Sequence, residues 1–505
     1  MERGTGGEVK KTMRHLLPLL LLSSTALAAD PKPNVLWICA DDLAAYPLGC
    51  YGDKQAKTPN IDALAKSGVR FDRAYCNSPV CTASRQSFLT GRYPRALGVT
   101  QLKTALPDGT PTLATLLKAA GYETLSVGKM HFNSNLKHGF DVRIDAPDHR
   151  KELNARKPQP LPDGVEVQPK WQPFKDHART WLNSKALPFG ATDADMPGTF
   201  YAAKGAELLA AKREKPFFLM VSFYDPHSPF HFPVDDRGAF DPKKFTVPKV
   251  GAEDDWHIPA IFRDLTESEK QGITAAYYTS AAFLDRNVGK VLDTLKKAGL
   301  EENTIVVLTG DHGYMLGHHG RFEKHCCYEP AVRAPLLVRL PGATKAGTSN
   351  SALTEFIDVA PTLLEACGVK VPEGVQGKSL LPVLSGKATT HRERVFVEYS
   401  ENEEAMVRTP DWKLIYTTGA RKREDGYETG KPLPGRVVQL FDLKADPDET
   451  TNLASKPEQA ERVKELTVAL EKHLTATARE PKLIPKTDDV HERLAHLLQP
   501  RDVTK

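Results

Sequence analysis

Three features of this 505-residue sequence predict an α/β sandwich with a large, mostly parallel sheet flanked by helices. Short, wholly apolar runs recur along the chain, amphipathic helical stretches separate them, and each run ends in polar residues. The first run, Asn34 to Ala40 (NVLWICA), is apolar without alternation, as expected of a strand covered on both faces, and it delivers Asp41 and Asp42 at its carboxyl end. Residues 58–68 read as a helix, with Thr58-Pro59 at its start and Gly68 as its stop. The helical pattern returns over 112–121, and Tyr122 to Gly128 is the next strand. Lys215 to Phe223 and Thr304 to Thr309 are two more apolar strands followed by polar residues. In sheets of this kind ligands sit beyond the carboxyl ends of the strands.

Residues 145–196, rich in Pro, Trp, Asp and Lys without clear periodicity, read as an insertion or long loop in a catalytic domain spanning 30–390. Near Glu393 the texture changes. Arg394 to Tyr399, Met406 to Arg408, Trp412 to Tyr416 and Val437 to Phe441 are short strands at hairpin spacing, and Pro457 to Leu474 is an amphipathic helix. This predicts a smaller C-terminal α+β subdomain with an antiparallel sheet over 391–505.

Hydrophobic residues make up 40% and charged residues 26% of the chain, which excludes a disordered or collagenous protein. The formal charge of +4 gives no reason to expect nucleic acid as a partner. At the N-terminus, Lys10, Lys11 and Arg14 precede the apolar stretch Leu16 to Leu22 and the small residues around Ala26 to Ala29. That three-part pattern predicts a signal peptide over 1–29 and an exported protein, periplasmic or extracellular. The apolar stretch falls far short of the roughly 20 residues of a stable membrane span. Met13 offers a second possible start, and no Cys follows the small residues to carry a lipid anchor. Seven cysteines is an odd number for an exported chain, so one thiol has another use to be found. The Cys326-Cys327 pair leaves three readings open: a strained bridge, two free thiols, or partners for distant cysteines.

Four clusters of polar residues stand out at the strand ends and beside them. Asp41-Asp42 is the first and Asp311-His312 the second; carboxylates converging from two strand ends repel unless they share a cation, and a hard cation such as Ca²⁺ favours oxygen ligands. The third is Ser78 to Arg92. The fourth is a set of cations, Lys129 and His131 after one strand, His227 after another, and Lys324 in Arg321-Phe-Glu-Lys324.

Cys81-Thr-Ala-Ser-Arg85 followed by Leu89-Thr-Gly-Arg92 resembles the signature of the type I sulfatases of the alkaline phosphatase superfamily. Further family motifs follow in order: Thr58-Pro-Asn-Ile-Asp62, Gly128-Lys-Met-His131, Asp311-His-Gly-Tyr-Met-Leu-Gly317, and Leu440 to Pro447 with Asn452-Leu453. The resemblance spans roughly residues 33–475 and implies an alkaline-phosphatase-like sandwich. It further implies that Cys81 is oxidised to Cα-formylglycine by a formylglycine-generating or sulfatase-maturating enzyme. One Ca²⁺ per chain would be held by Asp41, Asp42, Cys81, Asp311 and His312. Hydrated, the aldehyde is a gem-diol: one hydroxyl attacks sulfur, and deprotonation of the other expels sulfate and restores the aldehyde. By the same resemblance Arg85 and the metal activate the diol, His131 assists, His227 or Lys324 protonates the leaving oxygen, and Lys129 joins the sulfate-binding charges. Ala83 stands where Pro is more usual, His312 where many members have Asn, and His318 where an acidic residue is common.

The expected substrate is a sulfate ester of a carbohydrate. Gly128-Lys-Met-His-Phe132 with His138-Gly-Phe-Asp141 is similar to both choline sulfatases and bacterial glycan sulfatases, and the chain as a whole also resembles iduronate-2-sulfatase-like members. A phosphonate or phosphate ester hydrolase of the same superfamily and a non-catalytic sugar-binding relative are the competing classes. Trp171, His177, Arg179 and Trp181 in the insertion serve either sugar contact or loop anchoring.

Overall fold

β1 (Asn34–Ala40) is the centre of the main sheet, and its alternation explains why the run is apolar throughout. Val35, Trp37 and Cys39 enter one core while Leu36, Ile38 and Ala40 enter the core on the opposite face. The computed structural model describes Gly7, residues 32–342 and residues 345–503, so the signal-peptide reading of 1–29 lies, Gly7 apart, outside the described residues.

The strands that follow are β2 (Val69–Phe71), β3 (Ala74–Tyr75), β4 (Glu123–Gly128), β5 (Val142–Ile144), β6 (Phe217–Ser222), β7 (Thr304–Gly310), β8 (Leu336–Arg339), β9 (Thr348–Asn350) and β10 (Thr354–Glu355). Seven of them join β1 in one eight-stranded sheet in the order β5-β4-β6-β1-β7-β8-β2-β9, in which only β8 runs antiparallel to its neighbours. β3 and β10 make a separate parallel pair. The helix predicted over 58–68 runs Pro59–Ser67, and that over 112–121 runs Leu113–Ala119, where Thr112 and Thr115 cap each other.

The segment 145–196 is not wholly loop. Asp145 and Asp148 form a reciprocal cap on a helix Ala146–Ala155, and short helical turns follow at Ala178–Trp181 and Asp193–Asp195. A helix of 31 residues, Glu267–Lys297, starts at a Thr266/Glu269 capping box and packs Leu284, Val288, Val291 and Leu295 on the sheet.

In the C-terminal part, β11 (Val395–Tyr399), β12 (Glu404–Arg408), β13 (Trp412–Thr417) and β14 (Val437–Asp442) form an antiparallel sheet in sequence order. Ala405, Val407, Leu414, Tyr416 and Leu440 pack against Leu466, Leu470 and Leu474 of the helix Ala460–Ala476, while Val397, Met406, Ile415 and Phe441 join the main core. The predicted helix start at Pro457 is a 3-10 turn, Pro457–Gln459, before the α-helix begins. All seven cysteines, Cys326 and Cys327 included, are free thiols.

His473 on that helix makes one pH dependence testable. Its ring stacks on Phe396 at 3.8 Å and meets Tyr93 edge-on at 4.5 Å, and burial, reinforced by Arg95 and Arg392, pulls its pKa down to about 3. The folded pKa lies below the unfolded value, so stability is complete above about pH 6.5 and falls by about 1.4 kcal/mol per pH unit as pH drops toward the folded value. His473→Phe keeps the stack and is expected to flatten the fall in melting temperature between pH 7 and pH 5. An unchanged slope in calorimetry would refute this assignment.

Candidate active site

β4, β6, β1 and β7 are parallel neighbours, so their carboxyl ends share one edge of the sheet. That edge carries Lys129 and His131 after β4, His227 after β6, Asp41 and Asp42 after β1, and Asp311 and His312 after β7. The close spacing has a backbone condition at Gly128: its φ is +88°, and a Cβ there would lie 1.9 Å from the Ser222 carbonyl oxygen. Asp42 and His131 also have positive φ, 62° and 57°, a conformation that non-glycine residues adopt at a cost.

Cys81 and Arg85 reach this edge from a helix, Cys81–Thr90, and not from a strand end. All ten helix residues are buried, and Cys81 occupies the first turn, where free backbone N–H groups favour negative charge. The Nε2 atom of His312 lies 3.2 Å from the Cys81 sulfur, and His131 and His227 are near enough to act on it electrostatically. Burial pushes the thiol pKa up, but the charges of Lys129, Lys324 and His312 outweigh burial and hold it well below its ordinary value.

Arg85 is the structural link between strand ends. Its Nε donates to Asp311 Oδ2 at 2.8 Å, and its Nη1 donates to the Lys129 carbonyl and to Ser222 Oγ, both at 2.7 Å. Ser222 is a site residue that the sequence reading missed; its signal is the single hydroxyl closing the otherwise apolar β6. Asp311 Oδ1 accepts the backbone N–H groups of Asp42 at 3.1 Å and His312 at 3.0 Å. Burial and the neighbouring Asp41 raise Asp311 to about 7, whereas burial of His312 is outweighed by Asp311 and Cys81, which lift it to about 9.

Lys129 pairs with Asp41 and Lys324 pairs with Asp42. Each lysine occupies one carboxylate oxygen. The others, Asp41 Oδ1 and Asp42 Oδ2, are buried without a hydrogen-bond partner. A buried carboxylate oxygen without a donor is costly, and a bound cation removes that cost. Donor atoms of Asp41, Asp42, Cys81 and His312 all lie within 4.8 Å of one another, and a divalent cation fits this set. Asp311 stands beside it, with its Oδ1 3.5 Å from His312 Nε2. His227 Nδ1 bonds the Ser228 carbonyl at 2.7 Å, and its Nε2 lies 3.9 Å from Asp42 Oδ2. The ten predicted site residues therefore meet at one edge of the sheet.

The insertion residues divide differently. Trp181 is buried against Phe174 and Phe262, and Arg179 is spent on Glu269 at 2.7 Å and Asp264 at 3.2 Å, so both anchor the loop. Trp171 lines a separate surface cavity with Phe189. Asp254, His257 and His319 form a second buried cluster, but its geometry is that of a closed hydrogen-bond network. Asp254 Oδ1 bonds His319 Nδ1 at 2.8 Å, and His257 is held between Arg321 and the Tyr328 hydroxyl.

Known proteins match this architecture along nearly its whole length. The Sulfatase family pattern matches residues 33–369, and that of the N-sulphoglucosamine sulphohydrolase C-terminal region matches residues 317–476. An N-acetylglucosamine-6-O-sulfatase of Bacteroides thetaiotaomicron is 28% identical, with 90% of this chain and 89% of that protein covered. A protein solved in complex with D-glucosamine-2-N,6-O-disulfate superposes with a TM-score of 0.71 at 24% identity, covering 91% of this chain and 100% of the other. The phosphonate monoester hydrolase of Silicibacter pomeroyi superposes with a TM-score of 0.74 at 25% identity, covering 90% and 98%. With the family pattern spanning the sheet and its polar edge, the chain belongs to the sulfatase family, enzymes that hydrolyse sulfate esters.

Proposed function

We propose that this protein is an exported sulfatase acting on sulfated carbohydrates, with Cys81 matured to formylglycine and one Ca²⁺ held by Asp41, Asp42, residue 81, Asp311 and His312. The observation that carries the reading is the ring of charge around the Cys81 sulfur: Lys129, Lys324, His131, His227 and His312 surround it, with Arg85 one helical turn behind. A cluster of charges so arranged is preorganised for a tetrahedral anion and for the charge that develops as its ester bond breaks. Hydrated formylglycine supplies one hydroxyl as nucleophile and a second whose deprotonation expels sulfate. A bound cation, held by these residues, would supply positive charge that lowers the cost of forming the anionic nucleophile.

The remaining steps belong to ordinary side chains. Arg85, fixed by Asp311 and Ser222, keeps Nη2 free of hydrogen bonds beside Asp41 and holds the nucleophile end of the site. Lys129 and Lys324 neutralise sulfate oxygens. His227 is held with Nδ1 on a carbonyl, and its other nitrogen delivers a proton to the leaving oxygen. His131, whose pKa burial lowers, is neutral near pH 7 and takes a proton. Lys324→Ala is expected to lower kcat by about 10²–10³, the usual cost of one preorganised donor. Loss confined to KM would instead make Lys324 a binding residue only.

The fold likeness to a phosphonate monoester hydrolase favours one second reading, a phosphonate or phosphate ester as substrate. Purified, matured protein assayed on defined sulfated saccharides, choline sulfate and a phenyl phosphonate ester separates the readings. The carbohydrate reading expects the highest kcat/KM on a sulfated saccharide. A higher value for choline sulfate or the phosphonate would replace it.

A further inference from the structure

A cavity of about 340 Å³ lies between Trp256-His257 and the connection from β13 to β14, residues 417–434. That volume is in the range of about 300–1,000 Å³ typical of small-ligand sites. Five basic side chains line it, Arg321, Arg421, Lys422, Arg423 and Lys431, against the single carboxylate of Glu428. Three of the five are neutralised: Arg321 by Glu323, Arg423 by Asp425 and Lys431 by Asp255. Arg421 and Lys422 have no hydrogen bond or ion pair to a described residue. Two unspent cations beside an indole ring make a receptor for an anion borne on a flat, weakly polar body, the combination that an acidic sugar presents.

The wall of the cavity adjoins residues that pack beside the reacting centre. Arg321 precedes by three residues the Lys324 that pairs with Asp42. Tyr427, next to Glu428 on the lining, is buried 5.0 Å from His325, and Glu323, Lys324 and Asp42 all act on its hydroxyl electrostatically. The connection is also held in place. The Glu428 carbonyl accepts the Ala260 N–H at 2.9 Å, and Phe174 packs over Gly426, where φ is +87° and a Cβ would come within 2.3 Å of the ring.

We propose that this cavity is a second anion subsite: Arg421 and Lys422 receive a carboxylate or second sulfate on the sugar next to the one whose sulfate reaches residue 81, and Trp256 supports that sugar ring. The inference rests on the sulfated-carbohydrate reading above. It makes the enzyme selective for oligosaccharides that carry a second charge at a fixed distance from the scissile ester.

The test uses full-length matured protein, para-nitrophenyl sulfate, and a panel of sulfated disaccharides prepared in pairs. In one series the members differ only in a uronate carboxylate or its reduced alcohol, and in the other only in a second sulfate. Inhibition of para-nitrophenyl sulfate hydrolysis reads binding. In at least one pair the doubly charged member is expected to bind about tenfold more tightly, and the series in which this occurs identifies the anion. The Arg421→Ala/Lys422→Ala variant should erase that difference while para-nitrophenyl sulfate turnover stays within about twofold, since neither side chain touches the Cys81 cluster. If sulfate esters are hydrolysed but the second charge makes no difference in any pair, or the double variant retains the difference, the subsite is refuted. If the protein hydrolyses neither para-nitrophenyl sulfate nor any member of the panel, the sulfatase reading itself fails.

Discussion

Cys81→Ser, made in a host whose converting enzyme accepts only cysteine, is expected to lose multiple turnover, with kcat lowered on the order of 10⁴ or more. Serine retains one hydroxyl at the position of the sulfur, still surrounded by Lys129, Lys324 and His312. Attack on sulfur remains open to that hydroxyl. A serine cannot be hydrated to a diol, however, so no second hydroxyl exists to expel sulfate and the enzyme should stop with a sulfate ester on the introduced side chain. Cys81→Ala should show neither turnover nor adduct. Intact-protein mass spectrometry alongside the activity assay distinguishes the cases, and the wild-type peptide spanning residue 81 should carry an aldehyde in place of the thiol. Sustained turnover by an unconverted serine variant would mean that water cleaves the ester directly, and release of sulfate by elimination would have to be given up.

The parts of this architecture that were legible in the sequence share a physical cause. β1, β6 and β7 are covered on both faces, so both sets of alternating side chains are apolar and the runs announce themselves, with polar residues marking where each strand leaves the core. The helix carrying Cys81 gave no such signal. It is buried all round while carrying Thr82, Ser84, Arg85, Gln86, Ser87 and Thr90, whose polar groups are largely satisfied inside the protein, as by Ser84 on the Asp311 carbonyl. Periodicity cannot find a helix whose contacts are specific hydrogen bonds; only the motif resemblance marked that stretch. The short strands β2 and β9, three residues each, have too few positions to show a pattern. Trp256 and the 417–434 connection lie some 160 residues apart, and only the fold brings them to one cavity. Arg179 is a case the sequence left open between sugar contact and loop anchoring, because a charge does not say which partner it meets; the fold decides it by placing Glu269 and Asp264 against the guanidinium.

Exhaustive chelation is expected to abolish activity and to lower the melting temperature, with Ca²⁺ restoring both. The stability arm follows from the two buried carboxylate oxygens, Asp41 Oδ1 and Asp42 Oδ2, which have no donor of their own. A cation bound only by the folded state adds about 2.7 kcal/mol at a hundred times its dissociation constant, and this response does not depend on turnover. Asp42→Asn should lose most of it, because the amide brings less negative charge to the cation and leaves Lys324 without its partner. The choice of metal turns on residue 81. With an unconverted cysteine the donor set is two carboxylates, an imidazole and a thiolate, the last held deprotonated by Lys129, Lys324 and His312 against the cost of burial, and such a set suits Zn²⁺. Conversion replaces sulfur by oxygen and moves the set toward Ca²⁺. Metal analysis should therefore find Ca²⁺ near one per chain in matured protein and a shift toward Zn²⁺ in protein made without a converting enzyme. Near-stoichiometric Zn²⁺ in active, fully matured protein would show that the His312 nitrogen governs the site, and the calcium assignment would be wrong.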